Sequence, residues 1–497
     1  MLKKPNIILI MTDQQRADTV AAHGASHMVT PHIDSLVEGG TSFHNTHCPG
    51  ATCTPSRAAI FTGMFPHNTG TYSFNNWGHQ RTWVQDLADQ GYWCTNIGKM
   101  HFQPRDVAGG FHDRVIVENP TSTGNWGGTG DDAWGDFLTE QGETRPNYRH
   151  LSDPDWRNKF QCVPWHLDES LHSDVFTADS ACTWIKQWKD QQPLFLQVGF
   201  PGPHEPWDAP QSFVDLYDPK NLPQPVDFDG DLSTRPAQQA AIKNFHATCD
   251  HESRIDMPNA TREDVQRIRQ HYYAKISFVD EQVGKVLSSL EERGLLENSI
   301  VIFTSDHGEM LGDHGMAYKW LMYDGITRVP MIVKDFRSQH ETRSTDSLVS
   351  LMDVGPTALD FANLPIPTRL EGKSIRPLLD EKCDELHEAV YCEDNYMVMR
   401  RTKTHKTIHY IGQAEGEFYD LINDPTESKN LWNLPAHQEL RNRERFKLLD
   451  WLATSAYFNG GHKTGSADKD GRYPIRWHSD GDHGIHGDNY RPINSPH

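Results

Sequence analysis

The sequence predicts an α/β protein, with a mixed, mostly parallel sheet flanked by helices and a smaller α+β unit after it. Three features point that way. Apolar runs of strand length recur and each ends in a polar cluster. Helical stretches lie between those runs, and short strand-like runs followed by one helix appear only beyond residue 380.

The elements follow in chain order. "NIILIM" reads as a first strand ending at Thr12, Asp13 and Gln14. "YWCTNI" runs into Gly98, Lys99 and His101, "LFLQVGF" into Pro201 and His204, and "SIVIFTS" into Asp306 and His307. Continuously apolar runs fit strands covered on both faces, and in such sheets ligands bind beyond the carboxyl ends of the strands. Between them, "TPHIDSLVEGG" reads as a helix with Pro31 at its first position and Gly39 as its stop. "DVQRIRQHYYAKISFVDEQVGKVLSSLEERG" reads as a long amphipathic helix ended by Gly294. From about Asp106 to Val163 the chain is rich in Gly, Asp, Asn and Trp without periodicity, which predicts long loops over a site. Near the end, "EAVYCED", "YMVMRR" and "TIHYIG" read as short strands and "QELRNRERFKLLDWLATSA" as a helix. The expected division is an α/β domain over residues 1–380, a small antiparallel sheet plus helix over 381–465, and an extended arm over 466–497.

Composition narrows the function. With 47 basic and 68 acidic residues the formal charge is -21, which disfavours nucleic acid and anionic membranes as partners. An anionic substrate would need locally concentrated positive charge. No apolar run approaches the roughly 18 residues of a membrane span, and the start reads as a strand rather than an export signal, so a cytoplasmic location is expected. The cysteines (Cys48, Cys53, Cys94, Cys162, Cys182, Cys249, Cys383 and Cys392) show no C-x-x-C pair, and a disulfide scaffold is not expected.

Asp13 and Gln14 at one strand end, with Asp306 and His307 at another, offer oxygen-rich ligands plus one nitrogen. That set suits a hard divalent cation: Ca²⁺, with Mg²⁺ or Mn²⁺ as alternatives. In "CTPSRAAIFTG", Thr54 and Pro55 fit the opening of a helix. Cys53 would then sit where free backbone N–H groups favour a thiolate or a bound oxyanion, although a buried cysteine is also an ordinary small hydrophobe.

"CTPSRAAIFTG" resembles the sulfatase signature C-x-P-S-R-x-x-x-x-T-G. "PNIILIMTDQQ", "TPHIDSLVEGG", "GYWCTNIGKMHF", "PGPHEPW", "TSDHGEMLGDHG", "YKWLMYDGITRVPMIV" and "EFYDLINDPTESKNL" are similar to that family's segments in its order. The resemblance, to the type I, formylglycine-dependent sulfatases, implies an alkaline-phosphatase-like fold and conversion of Cys53 to formylglycine by a maturation enzyme. It also implies a metal held by Asp13, Gln14, Asp306, His307 and modified Cys53. Arg57 would hold the formylglycine hydrate, and Lys99, His101, His204 and Lys319 would surround the sulfate. One hydrate hydroxyl attacks sulfur, His204 or Lys319 protonates the leaving oxygen, with His204 favoured, and the second hydroxyl loses its proton to His101 and expels sulfate.

The family often shows two adjacent aspartates where this chain has Asp13 and Gln14. That departure resembles phosphonate monoester and phosphodiester hydrolases of the same superfamily, whereas "GKMHF" keeps the Lys and His typical of sulfatases. A catalytically silent binder of sulfated glycans is a further alternative, against which all the expected site residues are present. Asn75 and Asn76 lie where relatives place a substrate-binding asparagine, or serve as turn residues. Trp126 and Trp134 could stack on a sugar or aryl ring or simply pack. His478, His483 and His486 fit a solvated arm or an intersubunit contact. Arms of this kind embrace a neighbour in family oligomers, so a homodimer or homotetramer is expected.

Overall fold

The computed structural model describes residues 4–72, 76–118, 131–145, 159–189, 192–248, 255–337 and 341–459, with the backbone of 476–477 and 483–484. Nine strands form the main sheet: β1 (Asn6–Thr12), β2 (Thr41–His47), β3 (Trp93–Gly98), β4 (Asp113–Ile116), β5 (Leu194–Gly199), β6 (Ser299–Ser305), β7 (Arg328–Val329), β8 (Met331–Asp335) and β9 (Arg343–Ser350). Their order is β4-β3-β5-β1-β6-β8-β2-β7, with β9 beside β2. The run from β4 to β6 is parallel, and β8 is antiparallel to both β6 and β2.

Continuous apolarity in β1 has the expected cause. Ile7, Leu9 and Met11 join one core while Ile8 and Ile10 join the core on the opposite face. On the second face pack α1 (Pro31–Val37), α3 (Ser173–Gln187) through Ala178, Ala181 and Ile185, and α5 (Arg262–Glu292). Val279, Val283, Val286 and Leu290 of α5 recur at 3.6-residue spacing along that contact. α5 starts with a Thr261–Asp264 capping box, and Gly294 follows it with φ 65°. Asp280 of α5 accepts from the N–H groups of His32 and Ile33, closing the first turn of α1 from outside. Tyr272 of α5 donates to Gln14 O at 2.6 Å and accepts from Arg16 N at 3.0 Å, so the long helix braces the chain just after β1.

Strand register brings the polar clusters together. Met11 pairs with Gly199, Gly98 pairs with Gly199, and Thr12 pairs with Ser305, so β3, β5, β1 and β6 end at one level in adjacent positions.

A second, antiparallel sheet contains β10 (Val390–Asp394), β11 (Met397–Arg401), β12 (His405–Tyr410) and β13 (Gly416–Asp420), with α6 (Gln438–Asn459) beside it. Trp451 of α6 stacks on Tyr391 at 3.8 Å. The fourth strand was not predicted. Of its residues only Phe418 and Tyr419 are apolar, so its own pattern is weak and pairing with β12 sets its place. The stretch predicted as loop is also partly regular: β4 extends the main sheet, and a helix spans Ala133–Glu140, capped by Asp132. Among the described residues no helix is long and apolar enough to cross a membrane.

Candidate active site

The helix α2 (Cys53–Thr62) opens at Cys53, as the proline spacing predicted, and ends at Gly63, whose φ is 74° and whose N–H donates to Ala59 O at 2.8 Å. Cys53 Sγ lies 3.1 Å from His307 Nε2, 3.4 Å from Lys319 Nζ and 3.6 Å from Asp13 Oδ1. The helix start does not make this thiol a thiolate. Burial, and then the charge of Asp13, push the Cys53 thiol up to about 12, against Lys319 and Lys99. As a plain cysteine it is therefore a protonated, poorly nucleophilic group.

Asp13 and Asp306 leave the ends of β1 and β6 with both side chains fully buried. Asp306 Oδ1 accepts from Gln14 N at 3.0 Å and His307 N at 2.9 Å. Burial works against the ionised Asp13, but Lys99 and Arg57 hold its carboxyl well below the usual carboxylate range. His307 Nδ1 donates to Gly308 O at 2.8 Å, which leaves Nε2 as a lone pair facing the centre. One ligand atom from each of Asp13, Cys53, Asp306 and His307 lies within 4.8 Å of the others, all buried. The donor set, the tautomer of His307 and the burial of all four residues fit a divalent cation at this point. Gln14 Oε1 joins the group through Lys319 Nζ, 2.7 Å away.

Arg57, one turn after Cys53, is also fully buried. Its Nε donates to Asp306 Oδ2 at 2.7 Å, its Nη2 to Asp13 Oδ2 at 3.0 Å and its Nη1 to Lys99 O at 2.8 Å. The guanidinium thus ties together the carboxylates of the cation site.

Lys99 follows β3 and its ammonium lies 2.7 Å from Asp13 Oδ2. His204, beyond β5, donates from Nδ1 to Glu205 O at 2.7 Å and accepts at Nε2 from Lys319 Nζ at 2.8 Å. Burial, with Lys319 and Lys99 nearby, holds His204 well below the ordinary histidine value, so it is neutral. Lys319 keeps its proton despite burial because the carboxylates of Glu205 and Asp13 lie close by; Cys53 would add to this only as a thiolate. His101 has a left-handed backbone, φ 59°, and burial beside Lys99 keeps its imidazole neutral. The backbone N–H of His101 donates to Glu118 Oε1 at 3.1 Å, and its ring Nε2 lies 3.5 Å from Glu118 Oε2.

Every predicted catalytic and metal residue therefore falls in one buried cluster. Asn76 is described and exposed, while Asn75 and Trp126 lie outside the described residues. Trp134 is not at a ligand surface: it is fully buried, donates to Leu171 O at 2.9 Å and lies under the Arg145 guanidinium. His478 and His486 lie outside the described residues, and His483 belongs to a two-residue strand paired with Arg476–Trp477. Sequence reasoning passed over four acidic residues. Glu118, Glu205 and Glu309 stand within the site, the last two inside motifs already singled out. Asp394, at the end of β10, accepts from the hydroxyl of Thr52 immediately before Cys53. Only contact between the two sheets reveals that last one.

The fold thus gathers buried carboxylates, imidazoles and ammonium groups at the ends of its central strands, around a cluster that could hold a cation. The sequence pattern described as Sulfatase matches residues 5–364, and the chain belongs to the sulfatase family of hydrolases. A second pattern, N-sulphoglucosamine sulphohydrolase, C-terminal, matches residues 312–453. The chain is 29% identical over 454 residues to an arylsulfatase of Clostridium perfringens, covering 88% of this chain and 92% of that protein. It is 26% identical to an N-acetylglucosamine-6-O-sulfatase of Bacteroides thetaiotaomicron, covering 90% and 86%. Among solved structures, the phosphonate monoester hydrolase of Agrobacterium radiobacter shares the fold with a TM-score of 0.77 at 22% identity, over 91% of this chain and 96% of that one. A structure in complex with D-glucosamine-2-N,6-O-disulfate aligns with a TM-score of 0.70 at 22% identity, over 93% and 100%.

Proposed function

We propose that this chain hydrolyses sulfate monoesters of aryl or carbohydrate alcohols, using a formylglycine formed from Cys53 by a maturation enzyme and a divalent cation, Ca²⁺ first. The supporting observation is the set around Cys53 Sγ: His307 at 3.1 Å, Lys319 at 3.4 Å and Asp13 at 3.6 Å, at the N-terminus of α2. Asp13, Gln14, Asp306, His307 and modified Cys53 would hold the cation, which when bound adds positive charge at the sulfuryl oxygens and acidifies a hydroxyl. The formylglycine hydrate supplies one hydroxyl to attack sulfur and a second whose deprotonation releases sulfate, a pair that serine and cysteine lack.

The chain's own residues do the rest. Lys99 and Lys319 place positive charge beside the sulfuryl oxygens, and the free N–H groups opening α2 add to it. Because His204 is neutral and accepts from Lys319, the proton for the leaving oxygen originates on Lys319 and passes directly or through His204. That revises the assignment favoured from sequence, in which His204 donates its own proton. His101, held neutral by burial beside Lys99, is the base we assign to take a proton from the hydrate.

The test is the mass of the Cys53 peptide from protein assayed in parallel on an aryl sulfate and a phosphonate monoester. An aldehyde with faster sulfate turnover supports the proposal, and active protein with an unmodified thiol overturns it. Faster phosphonate turnover would promote the second reading, to which Gln14 lends support. We further propose a cytoplasmic enzyme that is a homodimer or homotetramer, tested by cell fractionation and light scattering.

A further inference from the structure

Gln14 stands where many relatives carry an aspartate, and its surroundings supply a physical reason. Its amide nitrogen donates to two carboxylates at once: Glu205 Oε2 at 2.7 Å and Glu309 Oε2 at 2.6 Å. All three side chains belong to residues that are at most 1% exposed. An amide has two N–H donors, and here each has its own acceptor. The oxygen is thereby turned the other way, where it accepts from Lys319 Nζ at 2.7 Å, the ammonium that also lies 3.4 Å from Cys53 Sγ. Reversing the amide would set its oxygen against two carboxylates and its N–H groups against an ammonium. The network thus fixes which end of the amide faces the centre.

The two glutamates are anchored by the segments that carry other site residues. Glu309 Oε1 accepts from Leu311 N at 3.1 Å and from Tyr318 N, next to Lys319. Glu205 follows His204, whose Nδ1 donates to the Glu205 carbonyl. A carboxylate at position 14 would offer neither glutamate an N–H and would set acceptor oxygen against acceptor oxygen among side chains that are at most 1% exposed.

We propose that Glu205 and Glu309 are positioning residues that clamp the Gln14 amide with Oε1 as its cation-facing atom, and that they make a neutral amide obligatory at position 14. The inference rests on the cation site described above.

The test is calorimetric titration of Ca²⁺ into the full-length, EDTA-stripped protein. Glu205 is the residue to change, because Glu309 also holds two backbone N–H groups. Glu205→Leu is expected to weaken Ca²⁺ binding by about 10- to 100-fold, and Glu205→Gln, which keeps an acceptor oxygen, to recover most of that loss. In a Gln14→Ala background Glu205→Leu should change Ca²⁺ affinity no further. Wild-type affinity in Glu205→Leu, or an equal loss in the Gln14→Ala background, overturns the clamp. A second measurement needs no leucine variant: Gln14→Glu should lower the melting temperature of the stripped protein, and adding Glu205→Gln should restore part of it. Absence of that rescue also overturns the clamp. Failure of the wild-type protein to bind Ca²⁺, Mg²⁺ or Mn²⁺ would be seen before any variant and would overturn the cation site itself.

Discussion

Replacing Arg57 by leucine removes the cation that holds two buried carboxylates in one place. Asp306 loses its partner at 2.7 Å, while Asp13 loses one at 3.0 Å but keeps Lys99 at 2.7 Å. All of these side chains are 0% exposed. Removing one member of a buried ion pair costs about 3–5 kcal/mol, because the remaining charge is left without water or partner. Only Asp306 is left without a side-chain cation, so the expected loss is that of one pair, about 3–5 kcal/mol, rather than twice that. Two backbone N–H groups still reach Asp306 Oδ1, which favours the lower end of the range. A bound divalent cation replaces the missing positive charge, so the loss should be smaller in Ca²⁺ than in EDTA. The assay is calorimetric unfolding of wild type and Arg57→Leu in both conditions, with Arg57→Lys as a charge-retaining control. A loss below about 1 kcal/mol in EDTA, the scale of an exposed pair, or the same loss with and without Ca²⁺, refutes the reasoning.

Three further outcomes are expected. Lys319→Met and His204→Ala should each slow esters of poorly activated alcohols by about 10²–10⁴-fold, and activated aryl esters far less. Equal losses on both substrate types would move the proton donor elsewhere. Burial pushes the Asp280 carboxyl up to about 7, against two backbone N–H groups. A carboxyl raised above its unfolded value of 3.8 binds its proton more tightly in the folded chain, so its contribution is intact below about pH 4 and lost as pH rises towards 7. Asp280→Asn should accordingly gain on wild type by an amount on the order of 4 kcal/mol between pH 4 and pH 8. Denaturation curves showing a constant difference across that window would contradict it. Gly63→Ala places a Cβ 2.2 Å from Leu370 Cδ2 at a φ of 74°, and should lower stability by about 1–3 kcal/mol in thermal melts. An unchanged melting temperature would mean that the end of α2 relaxes without strain.

Much of the site was legible because a parallel sheet writes it locally. A strand buried on both faces must be continuously apolar, and the first polar residues after it lie at the edge where ligands bind. Asp13, Lys99, His204, Asp306 and His307 are all such residues. The opening and end of α2 were legible too, since Pro55 and Gly63 act through their own backbone geometry. β13 left no comparable trace, because only Phe418 and Tyr419 of its residues are apolar.

What the sequence pattern by itself determined is therefore which polar residues stand at the strand ends and at the opening of α2, since propensity and periodicity act over a few residues; the roles of Arg57, His101 and Lys319 and the conversion of Cys53 were implied only by the family resemblance. Tertiary structure alone decided how those groups share protons and charge. His204 is neutral because it is buried, with Lys319 2.8 Å away, Arg57 faces the carboxylates because β1 and β6 are neighbours, and Gln14 points its oxygen inward because two glutamates take its hydrogens. Charge interactions in a buried site depend on distance and desolvation, and both are set by residues 44 to 305 positions apart in the chain.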